Sequence, residues 1–142
     1  MVRIDLSVAV GRPPQEVFDF LSDVQRLPEW QSSAVESRAE GPLAPGTRIH
    51  ERRRILGREV ASELEVTAYE PPHRLTIKAL SGPLRFTVEH TFVENGGGTA
   101  VRIVAEADPG TLMKLAEPML ARTAEEELRK DLARLKALLE AD

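Results

Sequence analysis

The chain has 142 residues, of which 42% are hydrophobic and 30% charged, and its formal net charge is -4. That length suits a single domain over residues 1–142 with a core of its own, and the acidic balance speaks against nucleic acid as the main partner. Cysteine is absent, which excludes disulfides, thiolate catalysis and cysteine-ligated metal, and no apolar run has the length of a membrane span.

Met1-Val2-Arg3-Ile4 leads straight into strict alternation, with Ile4, Leu6, Val8 and Val10 on one face and Arg3, Asp5, Ser7 and Ala9 on the other. This predicts a half-buried antiparallel strand. It also predicts no signal peptide and no membrane insertion, as expected of a cytoplasmic protein. Gly11-Arg12-Pro13-Pro14 ends the strand and starts a helix, with Glu16 in the first turn where the helix dipole favours an anion. Val17, Phe18, Phe20 and Leu21 give that helix a broad apolar side. Ser22-Asp23 then breaks it before a second short helical turn from Val24, closed by Pro28-Glu29-Trp30.

Ser32 to Ala39 reads as a weak strand, followed by a Gly/Pro loop from Gly41 to Gly46. Two longer strands follow, Thr47 to Leu56 and Arg58 to Tyr69, hinged at Gly57. In the second, Val60, Ser62, Leu64, Val66 and Ala68 form the inner face. In the first neither face is cleanly apolar: Ile49 and Ile55 share a side with Glu51 and Arg53, opposite Arg48, His50, Arg52 and Arg54. Split between faces, the arginines do not make a nucleic-acid patch. Leu75 to Ala79 is a short strand. Leu84, Phe86, Val88, His90 and Phe92 then share one face of another, and Val101, Ile103 and Ala105 one face of the last, after the loop Asn95-Gly96-Gly97-Gly98.

The closing stretch, Asp108 to Ala141, reads as one long helix with an N-terminal Asp-Pro signal. Leu112, Leu115, Met119, Leu128, Leu132, Leu135 and Leu139 form its apolar stripe, and Pro118 predicts a kink. Around that kink Met113, Met119 and Leu120 either fill the core or face a ligand, since methionine adapts to several shapes. The whole is an α+β domain: seven strands in a curved antiparallel sheet, two short helices after strand 1, and one helix large enough to cover the sheet.

Pro13-Pro14-x-x-Val17-Phe18-x-Phe20-Leu21-Ser22-Asp23 followed by Leu27-Pro28-x-Trp30 resembles the opening signature of the START-like superfamily. This is the helix-grip fold of the birch-pollen allergen and the polyketide cyclase/dehydrase-like proteins. Gly46-Thr47-Arg48, Tyr69-Glu70-Pro71-Pro72-x-Arg74-Leu75, Gly97-Gly98-Thr99-x-Val101 and Leu132-x-x-Leu135-Lys136-x-x-Leu139-Glu140 extend the likeness over essentially the whole chain. The resemblance implies a cavity between sheet and C-terminal helix for a small apolar or amphipathic ligand such as a lipid, quinone or polyketide-like molecule. It leaves open whether that molecule is held or turned over.

Leu64, Val66, Phe86, Val88, Val101 and Ile103 are the expected apolar wall, with Phe20 and Trp30 near one end. His90 lies on the same face as this wall, either as a satisfied polar group or as a proton acceptor or donor. Glu51 and Arg53, two apart on one strand, emerge on one face. Turned inward they put a charge pair beside the ligand, and Arg53 suits a carboxylate or enolate; turned outward they are a salt bridge at the sheet edge. A binding protein, a cyclase or dehydratase using His90, Glu51 and Arg53, and a chaperone-associated or regulatory partner module are the three functions the resemblance implies. No metal or cofactor motif is present, and nothing in the sequence distinguishes a monomer from a homodimer.

Overall fold

The structure, a computed structural model, describes residues 2–55, 57–82, 84–108 and 117–141. Strands β1 (Val2–Val10), β2 (Ala34–Ala39), β3 (Arg48–Ile55), β4 (Arg58–Glu70), β5 (Arg74–Ala79), β6 (Arg85–Asn95) and β7 (Gly98–Asp108) form one sheet in the order β1-β7-β6-β5-β4-β3-β2. Every neighbouring pair is antiparallel. Helix α1 (Pro14–Ser22), a 3-10 turn at Val24–Arg26 and helix α2 (Leu27–Trp30) carry the chain from one edge strand, β1, to the other, β2. Helix α3 (Glu117–Glu140) packs on β1, α1 and α2. This is the expected α+β helix-grip arrangement.

The alternation read from the sequence sets the sheet faces. Ile4, Leu6 and Val10 of β1 are buried, as are Leu64, Val66 and Ala68 of β4 and Val101 and Ile103 of β7. Residues of opposite parity carry surface ion pairs: Arg102 donates to Asp5 from Nε and Nη2 at 2.9 and 2.6 Å, and Arg52 pairs with Glu36 and Glu59. Phe18 of α1 is fully buried, its ring 5.1 Å from that of Phe92 and 5.7 Å from that of Tyr69. This tilted cluster pins α1 onto the sheet.

Two strand pairs carry a register shift, at Ala34/Glu36 between β2 and β3 and at Val66/Ala68 between β4 and β5. The first has a local consequence. A bulge inserts one residue, so Ala34 and Ser37, three apart, are both buried while Val35 and Glu36 are exposed. Ser37 thereby lies opposite Glu51, which lies opposite Ser62.

The apolar stripe of α3 runs through Ala121, Leu128, Leu132, Leu135 and Leu139. Met119 does not belong to it and is 74% exposed. It stands nine residues before Leu128, which is two and a half turns and therefore the opposite side of the helix. Leu120 is half-buried. Pro118 stands in the first turn of the described helix; Met113, Leu112, Leu115 and the kink expected among them lie outside the described residues. The other end of α3 is tied to the turn after β1. Gly11 N–H donates to Glu140 Oε2 at 2.8 Å, Lys136 Nζ to the Ala9 carbonyl at 2.7 Å, and Arg12 Nε to the Leu139 carbonyl at 2.8 Å. These bonds join α3 to β1 and give Leu139, in the final turn, a partner for a carbonyl that no helical N–H reaches.

Candidate functional site: a cavity under the sheet

Strand register decides the direction of the charged strand β3. Ile49 pairs with Leu64, Glu51 with Ser62 and Arg53 with Val60, so all three share the inner face of β4. A cavity of about 80 Å³ lies there. Leu21, Val24, Leu27 and Trp30 wall it from the short helices, and Ile49, Leu64, Leu75, Ile77, Phe86 and Val88 from the sheet; Gln31, Ser37, Glu51, Arg53 and His90 are its polar members.

The placements expected from the sequence divide. Trp30, Glu51, Arg53, Leu64, Phe86, Val88 and His90 line this one cavity. Val66, Val101 and Ile103 do not: at 0, 0 and 1% exposure they are packed core. Phe20 is turned to the guanidinium of Arg26, 4.3 Å from its ring centroid, and stands outside the wall. Met119 faces solvent, and Leu120 is not in the described wall. Ser37, Gln31, Ile49, Leu75 and Ile77 were not singled out by the sequence. Leu75 and Ile77 were legible in principle as apolar strand residues, but the inward turn of Ser37 depends on a bulge that no residue pattern announces.

Glu51 and Arg53 form a closed unit. Arg53 Nε donates to Glu51 Oε1 at 2.6 Å, and Nη2 approaches Oε2 at 3.5 Å. The remaining guanidinium edges donate to Ser33 Oγ at 2.8 Å and Gln31 Oε1 at 2.6 Å. The Glu51 side chain is 4% exposed and that of Arg53 25%. All three guanidinium nitrogens are thus engaged, and Arg53 is not the free anion receptor that its residue type suggested. Taking it away from Glu51 would strand a buried carboxylate, a loss worth roughly 3–5 kcal/mol.

His90 is held differently. Its Nδ1 lies 2.9 Å from the carbonyl of Leu75, its cross-strand neighbour. A carbonyl only accepts, so Nδ1 carries the hydrogen and Nε2 presents a lone pair. Burial lowers the imidazole from 6.5 to about 4, the Leu75 carbonyl opposing that only in part. At neutral pH the ring is therefore uncharged, and among the described residues nothing donates to Nε2. Two further polar atoms on residues of the cavity wall have no partner among the described residues: Trp30 Nε1, on a residue 1% exposed, and Ser37 Oγ, on a residue 5% exposed; Thr76 Oγ1, outside the wall, is likewise unpartnered.

The segment between α2 and β2 links this site to α3. Gln31 and Ser33 hold Arg53, while between them Ser32 N–H donates to Asp131 Oδ1 at 3.2 Å and its hydroxyl to Glu127 at 3.3 Å. Asp131 is buried on the helix face, and that burial raises its carboxyl above the usual range.

A wider hollow, about 320 Å³, opens along β2, β3 and β4 among Glu36, Arg38, His50, Arg52 and Glu63, with Glu51 and Ser62 also in its lining. His50 is paired there with Glu40, and Arg48 with Glu63. Its charged lining suits no apolar molecule, so the smaller inner cavity is the candidate site. Among the described residues no group of His, Asp and Glu is arranged as metal ligands, and no helix is long and apolar enough to cross a membrane.

Three comparisons bear on this architecture. A family model described as polyketide cyclase / dehydrase and lipid transport matches residues 1–140. An uncharacterised protein of Mycobacterium tuberculosis is 27% identical over 135 residues, 93% of this chain and 94% of that one. Among solved structures, a START superfamily protein from Mycobacterium smegmatis superposes with a TM-score of 0.82 at 15% identity, covering 99% of this chain and 98% of the other. The di-domain ARO/CYC BexL superposes with a TM-score of 0.77 at 18% identity, over 99% of this chain and 50% of its own. At these identities the two structures are alike in fold.

Proposed function

The chain belongs to the polyketide cyclase / dehydrase and lipid transport family, and from that premise we propose that it binds a small hydrophobic or amphipathic molecule in the cavity between the sheet and the short helices, whose described wall contains no residue of α3, contrary to the sheet-and-C-terminal-helix cavity expected from the sequence. The observation that carries this reading is the composition of one wall. Leucine, isoleucine, valine, phenylalanine and tryptophan side chains line the space, and two of the lining residues, Trp30 and Ser37, each carry a buried polar atom without a partner among the described residues. Such a pairing of apolar enclosure with a few aimed polar groups is how small-molecule sites are built.

At about 80 Å³ the cavity is well below the ~300–1,000 Å³ of sites for drug-sized ligands. A lipid or quinone therefore enters only by spreading the walls, and its affinity is reduced by the work of doing so. The test is native mass spectrometry of the purified protein, then titration of the stripped protein with a lipid and quinone panel. A co-purifying or saturably bound apolar molecule supports the reading. A protein that carries nothing and whose melting temperature no panel member shifts refutes it.

A second reading, turnover of a polyketide-like substrate as a cyclase or dehydratase, is favoured by one observation: Glu51, Arg53 and His90 line one enclosed space. In that role His90 Nε2 accepts a proton from a carbon beside a carbonyl, and the engaged Arg53 acts as a fixed positive dipole beside the developing enolate. Mass-shifted product released from a bound polyketide analogue by the parent, and not by His90→Asn, would establish it.

A further inference from the structure

We propose that the cavity selects an uncharged, hydroxyl-bearing head group and rejects carboxylates. This rests on the ligand-binding reading above and specifies the chemistry of the ligand's polar end. Three polar atoms of the cavity residues lack partners among the described residues: Trp30 Nε1, Ser37 Oγ and His90 Nε2. The indole N–H can only donate. With Nδ1–H committed to the Leu75 carbonyl at 2.9 Å, the second imidazole nitrogen can only accept. The serine hydroxyl can do either. The group that complements such a set both accepts and donates, which an alcohol, phenol or enol does and a carboxylate or a simple hydrocarbon does not.

The one cation among the described residues of the wall does not alter this. Arg53 is bound through Nε, Nη1 and Nη2 to Glu51, Ser33 and Gln31. An anionic ligand would have to compete for Arg53 with Glu51, whose side chain is 4% exposed and has no other cation within reach of its oxygens among the described residues. It would also meet the Glu51 charge across the same small space. The pair therefore largely neutralises its own charge, and among the described residues the Trp30, Ser37 and His90 atoms are the unpartnered ones left to recognise a ligand. Water can occupy the same positions in the free protein, where it would be displaced by a head group that reproduces its bonds.

The chain has a single tryptophan, so the indole N–H of Trp30 is one resolvable peak in a proton–nitrogen correlation spectrum. Phenol, benzoate and toluene, three single-ring probes of similar size, are titrated at pH 7 into the stripped 142-residue protein. Phenol is expected to move that peak saturably, with benzoate and toluene at least tenfold weaker. Glu51→Gln, which leaves Arg53 without its counter-charge, is expected to cut the preference for phenol over benzoate by tenfold or more; should that variant not fold, the ratio in the parent decides. Benzoate or toluene binding as tightly as phenol, or phenol binding without moving the indole peak, overturns the proposal and leaves the ligand-binding reading standing. Silence from all three probes overturns it as well, and the lipid and quinone panel then decides separately whether the cavity binds anything.

Discussion

His90 offers a perturbation whose size follows from the structure. In the unfolded chain its imidazole titrates near 6.5, and in the folded protein burial holds it at about 4. Between those values the unfolded state binds a proton that the folded state refuses, so stability falls as pH falls. The loss begins near pH 6.5 and is complete below pH 4, where it reaches roughly 3 kcal/mol. At pH 5 it amounts to about 2 kcal/mol relative to pH 7. His90→Asn keeps an N–H near the Nδ1 position to serve the Leu75 carbonyl but does not titrate. The variant should be less stable than the parent at pH 7, because it leaves a void, by about 1–3 kcal/mol. Its further loss on going to pH 5 should be smaller than the parent's by about 2 kcal/mol. Urea melts followed by Trp30 fluorescence measure both; with a slope of ~2 kcal/mol per molar, that difference is about 1 M in midpoint. Equal acid losses in parent and variant would refute the assignment of a neutral, proton-refusing His90.

Arg53→Ala should destabilise by about 3 kcal/mol in the same melts, because it leaves the buried Glu51 carboxylate unpaired. The double variant Glu51→Gln with Arg53→Gln should recover part of that, and a double variant no better than the single one would show that packing, and not the stranded charge, accounts for the loss. Asp131→Asn keeps an oxygen for Ser32 N–H and removes a carboxyl that burial raises above 3.8. A raised carboxyl stabilises fully below its unfolded value and loses that contribution as pH rises through the folded one. The change in melting temperature caused by Asp131→Asn should therefore be more favourable at pH 7 than at pH 4.

What was legible in the sequence is what period and punctuation encode. The alternation in β1, β4, β6 and β7 placed Ile4, Leu64, Val88 and Val101 on the inner face directly, and Pro13-Pro14 marked the start of α1. The facing of β3 was not legible, since both its sides carry charge; only pairing of Glu51 with Ser62 and Arg53 with Val60 decides it. An inner face also contains more than a cavity wall. Val66, Val101 and Ile103 point inward and are simply core; for Val101 and Ile103 on β7 this is because α1 packs on β6 and β7 and α3 on β1. Met119 shows a different limit: a helix stripe extended across Pro118 loses its phase, and a residue two and a half turns from Leu128 ends in solvent. Asp131 went unnoticed because a charged residue in a charged helix looks solvated until a loop arrives to use it.

The pairing of β1 with β7 has a consequence for how the protein is made. Val2 lies against Ala107 and Val10 against Thr99, so the first strand to leave the ribosome waits for the last before it has a neighbour. The bonds from Ala9, Gly11 and Arg12 to the end of α3 wait longer still. A nascent chain can assemble the meander from β2 to β6 by local hairpins, but β1 has no strand on either side until β7 has been made. A chain stalled short of β7 presents both edges of the strand Val2–Val10 to whatever other unfinished chain lies nearby.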